Sequence, residues 1–421
     1  MRILIFLLPL IALASEFSDV IRGVDQMDLL EAKRLEVLAN KKLYQASKAQ
    51  NLPTLDMKLS AARLKEMPTM YLHLPKMPLS AFPMGKRKQI RGEVSLRYPI
   101  FSGFAISTMI QKSRLNYLHS ALEKRDLKRN LYMQAASLYA SLYATNQQLQ
   151  ALQKGYEALK LAYKKAKGFY EQELVPLSEV YNIEAKMYEM KAQMTEVTAQ
   201  AKQLQNMLHY LSKETPKALA LPAMQDVKEG ELLQRADIAM LRETLAIAKS
   251  DIALAKSKFL PTIALKASLK RFGDSLALNG DGYRNGDESY IGVGVQYNIF
   301  SGFGDKYRLE AAKRAYMAKR SFYNDYIQKA RVQLQNAKVE LEALRARIAW
   351  AKKQLVAAKE YAKLIKGRFN NQLASADELS RAIAKEAEAK AALEAVKAQI
   401  FAKKSQIALM IGLDSFKEAL Q

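Results

Sequence analysis

Three histidines, His73, His119 and His209, make up the imidazole complement of the chain, and they stand far apart in sequence. No Ser-His-Asp order, HExxH helix, Gly-rich phosphate loop or paired-carboxylate motif accompanies them. Two segments carry enough ligand atoms to hold a metal. Met67, Met70, His73, Met77 and Met84 offer thioethers and an imidazole, donors that suit a soft ion such as Cu(I). They fall in a Pro- and Met-rich stretch, residues 66–89, whose plainer reading is a surface loop with incidental methionines. Asp274, Asn279, Asp281, Asn285, Asp287 and Glu288 offer oxygen ligands for Ca²⁺, but their spacing fits no EF-hand loop, and residues 273–289 read as an exposed hairpin loop. The absence of cysteine excludes disulfides, thiolate metal sites and a lipidated N-terminal Cys. No enzyme chemistry and no cofactor are expected.

What the sequence does carry is repetition. Tyr98-Pro99-Ile100-Phe101-Ser102-Gly103-Phe104 recurs 199 positions on as Tyr297-Asn298-Ile299-Phe300-Ser301-Gly302-Phe303. Each copy closes an alternating, strand-like run and opens a long helical one, with Ser102-Gly103 and Ser301-Gly302 at the points where the backbone must change direction. The 421 residues therefore read as one domain of duplicated architecture: a first repeat over 15–211, a linker over 212–228 carrying Pro216 and Pro222, and a second repeat over 229–421. Residues 1–14 read as a signal peptide, with Arg2 before an apolar run and Ala12-Leu13-Ala14 as the cleavage site. The net charge of +24 suits anionic partners, yet it is spread along the helical stretches and forms no compact tail, as on a solvated surface. No nucleic-acid partner is expected.

Each repeat opens with a helical pattern, residues 19–50 in the first, where Leu29, Leu30, Leu35, Leu38 and Leu43 mark one face. Two strands follow in each, about 54–64 and 90–101, then about 262–271 and 290–300. Leu55, Met57 and Leu59 alternate with Asp56, Lys58 and Ser60, and Val94 and Leu96 with Glu93, Ser95 and Arg97. No stretch is long and apolar enough for a membrane helix, so insertion into a bilayer must use these strands, with aliphatics toward lipid and charges toward water. Four strands cannot close a barrel, and lipid forbids unpaired edges; three chains would supply twelve.

After each Ser-Gly the pattern is helical, over 105–167 and 304–366, for roughly 95 Å at 1.5 Å per residue. Leu142, Thr145, Leu149, Leu152, Tyr156, Leu159, Tyr163 and Ala166 keep heptad spacing, and their counterparts are Leu341, Leu344, Ile348, Ala351, Leu355, Ala358, Ala362 and Ile365. A shared phase predicts coiled-coil packing. The helices are expected to break at Gly168 and Gly367 and to return over 178–211 and 377–410.

This combination resembles the TolC-like outer membrane efflux proteins over the whole chain beyond the signal. The resemblance implies a mixed α+β membrane protein: a homotrimer with a twelve-strand outer-membrane β-barrel, four strands per chain, continued by a long periplasmic α-helical coiled-coil barrel. It implies a passive exit duct for a tripartite efflux pump or a type I secretion system, with outer-membrane lipid, a periplasmic adaptor protein and an inner-membrane transporter as partners. By the same resemblance, the hairpin tips form the gate and dock the adaptor, through Glu173, Leu174, Ser178 and Glu179 in the first repeat and Gln372, Leu373, Glu378 and Arg381 in the second. The family's tip glycines are absent, Glu179 and Glu378 stand at its acidic position, and Arg381 suggests a latch pairing with Glu378 three residues before it. The alternative is a periplasmic or membrane-surface coiled-coil scaffold that binds anionic partners through its basic faces.

Overall fold

The computed structural model describes residues 15–73, 75, 80–216, 219–227, 232, 235–278 and 287–420. The expected signal peptide, Met77 of the methionine stretch, and Asn279, Asp281 and Asn285 of the acidic loop lie outside these residues. The elements in order are α1 (Ser15–Asp25), α2 (Asp28–Ala49), β1 (Thr54–Arg63), β2 (Thr69–Leu72), β3 (Ser80–Pro83), β4 (Lys88–Phe101), α3 (Ala105–Glu171), α4 (Leu177–Ser212), α5 (Ala236–Ser257), β5 (Thr262–Gly273), β6 (Glu288–Gln296), α6 (Gly304–Asn370), α7 (Ala376–Ile411) and α8 (Leu413–Leu420). They divide into two compact units. One takes Met1–Glu36, Ala121–Leu241 and Tyr323–Gln421, and the other Val37–Ser120 and Arg242–Phe322. Each unit thus draws on both repeats.

The second unit holds an antiparallel sheet in the order β1-β4-β5-β6, so the two repeats join at its centre through β4 and β5. Alternation in sequence becomes two chemically distinct faces. Lys58, Glu93, Lys270 and Glu288 are successive cross-strand partners, a row of alternating charge on one face. Within it Lys270 and Glu288 pair at 3.1 Å, and Ser268 donates to Glu93 at 3.1 Å. The other face carries Leu55, Met57, Val94, Leu269, Ile291 and Val293, all exposed, with Met57 at 77% and Ile291 at 74%. Beside the sheet, α2 meets α3 through a 2.6 Å hydrogen bond between Ser47 and Ser113, and Lys112 of α3 pairs with Asp251 of α5 at 2.5 Å.

The first unit is helical. Phe17 sits against Tyr139, Phe401 and Phe416 with ring centroids 5.0, 5.1 and 6.4 Å away, which brings α1, α3, α7 and α8 into one core. The segment between the repeats is docked on this unit. Tyr139 donates to the carbonyl of Ala220 at 2.9 Å, and Asp226 bridges Arg345 of α6 at 2.5 Å and Lys404 of α7 at 2.9 Å. Every predicted heptad position on α3 and α6 is buried or half-buried, including Leu142, Leu159, Leu341 and Ala351.

Several expectations are corrected. The opening helical stretch is two helices, because Gln26 and Met27 bond back to Gly23 and Val24 in an i, i+3 turn that drives Met27 and Leu30 into the core. Leu29, Leu35, Leu38 and Leu43 are exposed, so that apolar face is not covered by its own chain. The Met-rich stretch holds the small β2–β3 hairpin, and β6 ends at Gln296 rather than 300. The long helices do not stop at Gly168 or Gly367. A glycine inside a helix costs only about 1 kcal/mol, too little to end one that carries this much packing. α3 and α6 run on to Glu171 and Asn370.

Candidate functional site: hairpin tips and strand-to-helix junctions

At each tip the long helix ends by satisfying its own last carbonyls. Leu174 N–H reaches the carbonyl of Phe169 and Glu173 N–H that of Tyr170, both at 2.9 Å; Leu373 and Gln372 repeat this on Arg368 and Phe369 at 2.8 and 3.1 Å. This is the paired-bond helix stop that places one residue in the left-handed region, usually a glycine. Here Glu173 (φ 58°) and Gln372 (φ 59°) occupy it. Leu174 and Leu373, the next residues, are exposed.

The return helices begin differently, and the difference decides what the two tip glutamates do. α7 starts at Ser375, whose hydroxyl accepts from Glu378 N–H at 3.2 Å while the Glu378 carboxylate accepts from Ser375 N–H at 2.9 Å. This reciprocal box satisfies two otherwise orphaned donors. α4 starts at Pro176, which has no N–H to offer and no side-chain cap. Glu179, the equivalent of Glu378, is therefore free of that role and reaches across to accept from Ala376 N–H at 2.7 Å. A carboxylate from the first repeat thus caps the first helical turn of α7, where the helix dipole favours negative charge. Ser178 is exposed on the first turn of α4. The predicted Glu378–Arg381 latch is not formed: Glu378 is held in the capping box, and Arg381 pairs with Asp377 at 2.7 Å, one turn earlier on its own helix. The two long helices meet beside this cap, with Phe169 and Phe369 rings 6.2 Å apart and Lys165 donating to Asn370 Oδ1 at 2.9 Å.

The junctions repeat faithfully. Ser102 Oγ accepts from Ile106 N–H at 3.1 Å and Ser301 Oγ from Asp305 N–H at 3.3 Å, capping α3 and α6. Gly103 and Phe104 lie at φ 60° and 66°, and Gly302 and Phe303 at 62° and 64°. A phenylalanine in the left-handed region is strained by about 1–2 kcal/mol. The edge-to-face contacts Phe101–Phe104 at 5.2 Å and Phe300–Phe303 at 5.4 Å offset part of that, since such pairs contribute about 0.5–1.5 kcal/mol. The two glycines differ in surroundings. A Cβ on Gly103 would lie 2.8 Å from the Ser257 carbonyl and 3.0 Å from Leu260 Cβ, whereas one on Gly302 meets nothing within 4 Å. Gly302→Ala should therefore cost about 1 kcal/mol, for backbone strain alone, and Gly103→Ala about 2 kcal/mol, with crowding added. Thermal melts of the two variants check this; equal midpoints would show that the Ser257–Leu260 turn yields freely.

Among the described residues no group of three or more His, Cys, Asp or Glu is placed to hold a metal. Asp274 is paired with Lys86, Asp287 accepts from Phe272 N–H at 3.1 Å, and Met67, Met70 and Met84 are exposed. A buried network in the helical unit leaves no motif in the sequence. Arg235 and Asp237 form a two-pronged pair at 2.6 and 2.8 Å, Tyr326 donates to Asp237 at 2.7 Å, and Arg129 lies 3.7 Å from it.

Residues 229–413 match the family described as Outer membrane efflux protein. No curated protein sequence matches the chain. Among solved structures, CusC, described by its folding and transmembrane channel formation, superposes with a TM-score of 0.80 at 16% identity over 96% of this chain and 92% of its own. The Campylobacter jejuni CmeC outer membrane channel gives 0.80 at 16% identity, over 95% and 86%. The open state of the Neisseria gonorrhoeae MtrE outer membrane channel gives 0.76 at 19%, over 96% and 90%. These identities speak for the fold, and the matched family is one of transport channels rather than enzymes. Residues 229–413 are thus similar to the outer membrane efflux protein family, and the chain carries the fold of outer membrane channels along nearly its whole length, as its resemblance to TolC-like proteins implies.

Proposed function

We propose that this protein is the outer-membrane channel-tunnel of a tripartite efflux pump or a type I secretion system: a homotrimer with its sheet in the outer membrane and its helical hairpins in the periplasm. The observation that carries the reading is the sheet. One face holds exposed aliphatics and the other a row of charges, and β1 and β6 at its edges have no partner strand among the described residues. An open edge is untenable in lipid, and about three chains of four strands close it. Burying each exposed Leu, Ile or Met in lipid is favourable by about 1.5–3 kcal/mol, whereas a coiled-coil scaffold has no use for such a face. Substrate export would be passive, driven by an inner-membrane transporter, with an adaptor docking at the tips around Leu174 and Leu373.

Detergent-solubilised protein should run as a trimer and form channels in planar bilayers. A protein released from membranes by high salt alone, or a stable monomer with full β-content, would overturn the reading in favour of the scaffold.

Within this reading the latch at the tip is Glu179 on α7, not the Glu378–Arg381 pair. Glu179→Gln keeps an acceptor but removes the charge, and Glu179→Ala removes the cap, which is worth about 0.5–2 kcal/mol per copy. Both variants should raise single-channel conductance, alanine more than glutamine, while Arg381→Glu leaves it near wild type. The reverse order would place the gate at Arg381.

A further inference from the structure

One feature of the helical unit is used neither by the fold nor by the proposed gate. A crease of about 630 Å³ runs between α3, α6 and α7 and is lined by Lys154, Lys165, Lys359, Lys363, Lys366 and Lys390. Among the described residues that line it, the carboxylates are Glu360 and Glu386. Small residues make room in it, with Gly155 and Ala162 buried and Ala158 half-buried. Lys165 is engaged by Asn370 and by the Phe169 ring, 5.5 Å away. The other five make no salt bridge within the described residues. Lys390 is half-buried and faces Lys154; burial first, and then that second ammonium, hold its pKa below the usual lysine value, with Glu394 opposing.

Like charges gathered from three helices into one concavity oppose folding unless something neutralises them. A solvated lysine surface would spread its ammonium groups over convex ground instead. Six lysines against two glutamates leave an excess of positive charge that two more carboxylates would not balance.

We propose that this crease is a binding site for a small oxyanion of three or more charges, held between Lys154 and Lys390 with Lys359, Lys363 and Lys366 around it. Ammonium groups bind phosphate- and carboxylate-type oxygens as point charges, so several converging lysines suit a compact polyanion better than a single planar one. The proposal does not depend on the channel reading, because a scaffold would carry the same site.

The test uses the full chain in detergent, with inorganic tripolyphosphate as the probe and sodium chloride at matched ionic strength as the control. Tripolyphosphate should raise the melting temperature of the wild type well beyond chloride. Lys154→Gln with Lys390→Gln should melt higher than wild type without the anion, because the repulsion is gone, and should bind the probe about tenfold more weakly or worse. Lys306→Gln with Lys313→Gln, on an exposed part of α6, should respond as wild type does. An equal response in all three proteins would reduce the effect to general polyelectrolyte binding, and no response in the wild type would remove the site. Protection of Lys154 and Lys390 from acetylation by an acidic protein, without any effect of tripolyphosphate, would assign the crease to a protein contact; each of these outcomes overturns the proposal.

Discussion

Asp237→Ala should cost about 3–5 kcal/mol of stability, the loss expected when one partner of a buried ion pair is removed and the other charge is left stranded. Arg235 and Asp237 are each 4% exposed in their side chains, so water cannot replace the lost carboxylate. The Tyr326 hydroxyl at 2.7 Å would lose its acceptor and Arg129, 3.7 Å away, a nearby counter-charge, and α3, α5 and α6 would lose the group on which they converge. Burial alone would raise the Asp237 pKa, but the hydrogen bonds and charge of Arg235 outweigh it, so the carboxyl sits below the usual range. The sign of the pH dependence follows from that depression. The stabilisation is complete above the unfolded value of about 3.9 and is lost as pH falls from there through the folded value. Chemical denaturation of the detergent-solubilised wild type, Asp237→Ala and the double change Arg235→Leu with Asp237→Leu checks the account. The double variant should be more stable than Asp237→Ala, since it strands no charge at this pair; a double variant as weak as the single one would mean that packing, rather than charge, sets the cost.

That network shows where sequence reading stops. Repeats, strands and heptads were legible because each writes a period into the chain: two for the sheet faces and seven for the coiled coils. Lys58, Glu93 and Lys270 could be assigned to the polar face of their strands before their partners were known, whereas Glu288, read as part of the loop at 273–289, opens β6 and completes the row. Arg235 and Asp237 lie two residues apart at the start of a helix, a spacing with no meaning until Tyr326 and Arg129 arrive from other elements. The exposed Leu29, Leu35, Leu38 and Leu43 show a related limit, because periodicity reports that a face is apolar and not which chain covers it. The tip was half legible. Glu179 and Glu378 were picked out because they stand at the acidic position that the resemblance to TolC-like proteins implies, but their roles diverge through the residue three before each. Pro176 and Ser375 were in plain view, and the missing N–H of Pro176 was the signal that Glu179 had to look elsewhere. What no local rule supplied was the destination, Ala376 of the other repeat.

The second large effect is expected at Gly23, where helix propensity and packing point in opposite directions. Gly23 lies within α1, and in an open helix replacing it with alanine would stabilise by about 1 kcal/mol. Here a Cβ would sit 1.9 Å from the carbonyl oxygen of Ser212 and 2.8 Å from its carbonyl carbon. That backbone has little freedom to retreat. Ser212 is 1% exposed, its hydroxyl donates to Leu208 O at 2.8 Å, and the following Lys213 closes α4 in the left-handed region with its N–H on His209 O at 2.7 Å. Overpacking against a fixed neighbour costs about 1–3 kcal/mol and more when backbone must move, so crowding should outweigh propensity and Gly23→Ala should lose about 3 kcal/mol. Gly168→Ala is the matched control: it also lies inside a helix, nothing stands within 4 Å of its would-be Cβ, and propensity alone acts there. Thermal melts followed by helical circular dichroism should therefore move in opposite directions, down for Gly23→Ala and slightly up for Gly168→Ala. If both rise, α1 and the end of α4 can separate at little cost, and their close approach is not what seats the first helix on the core.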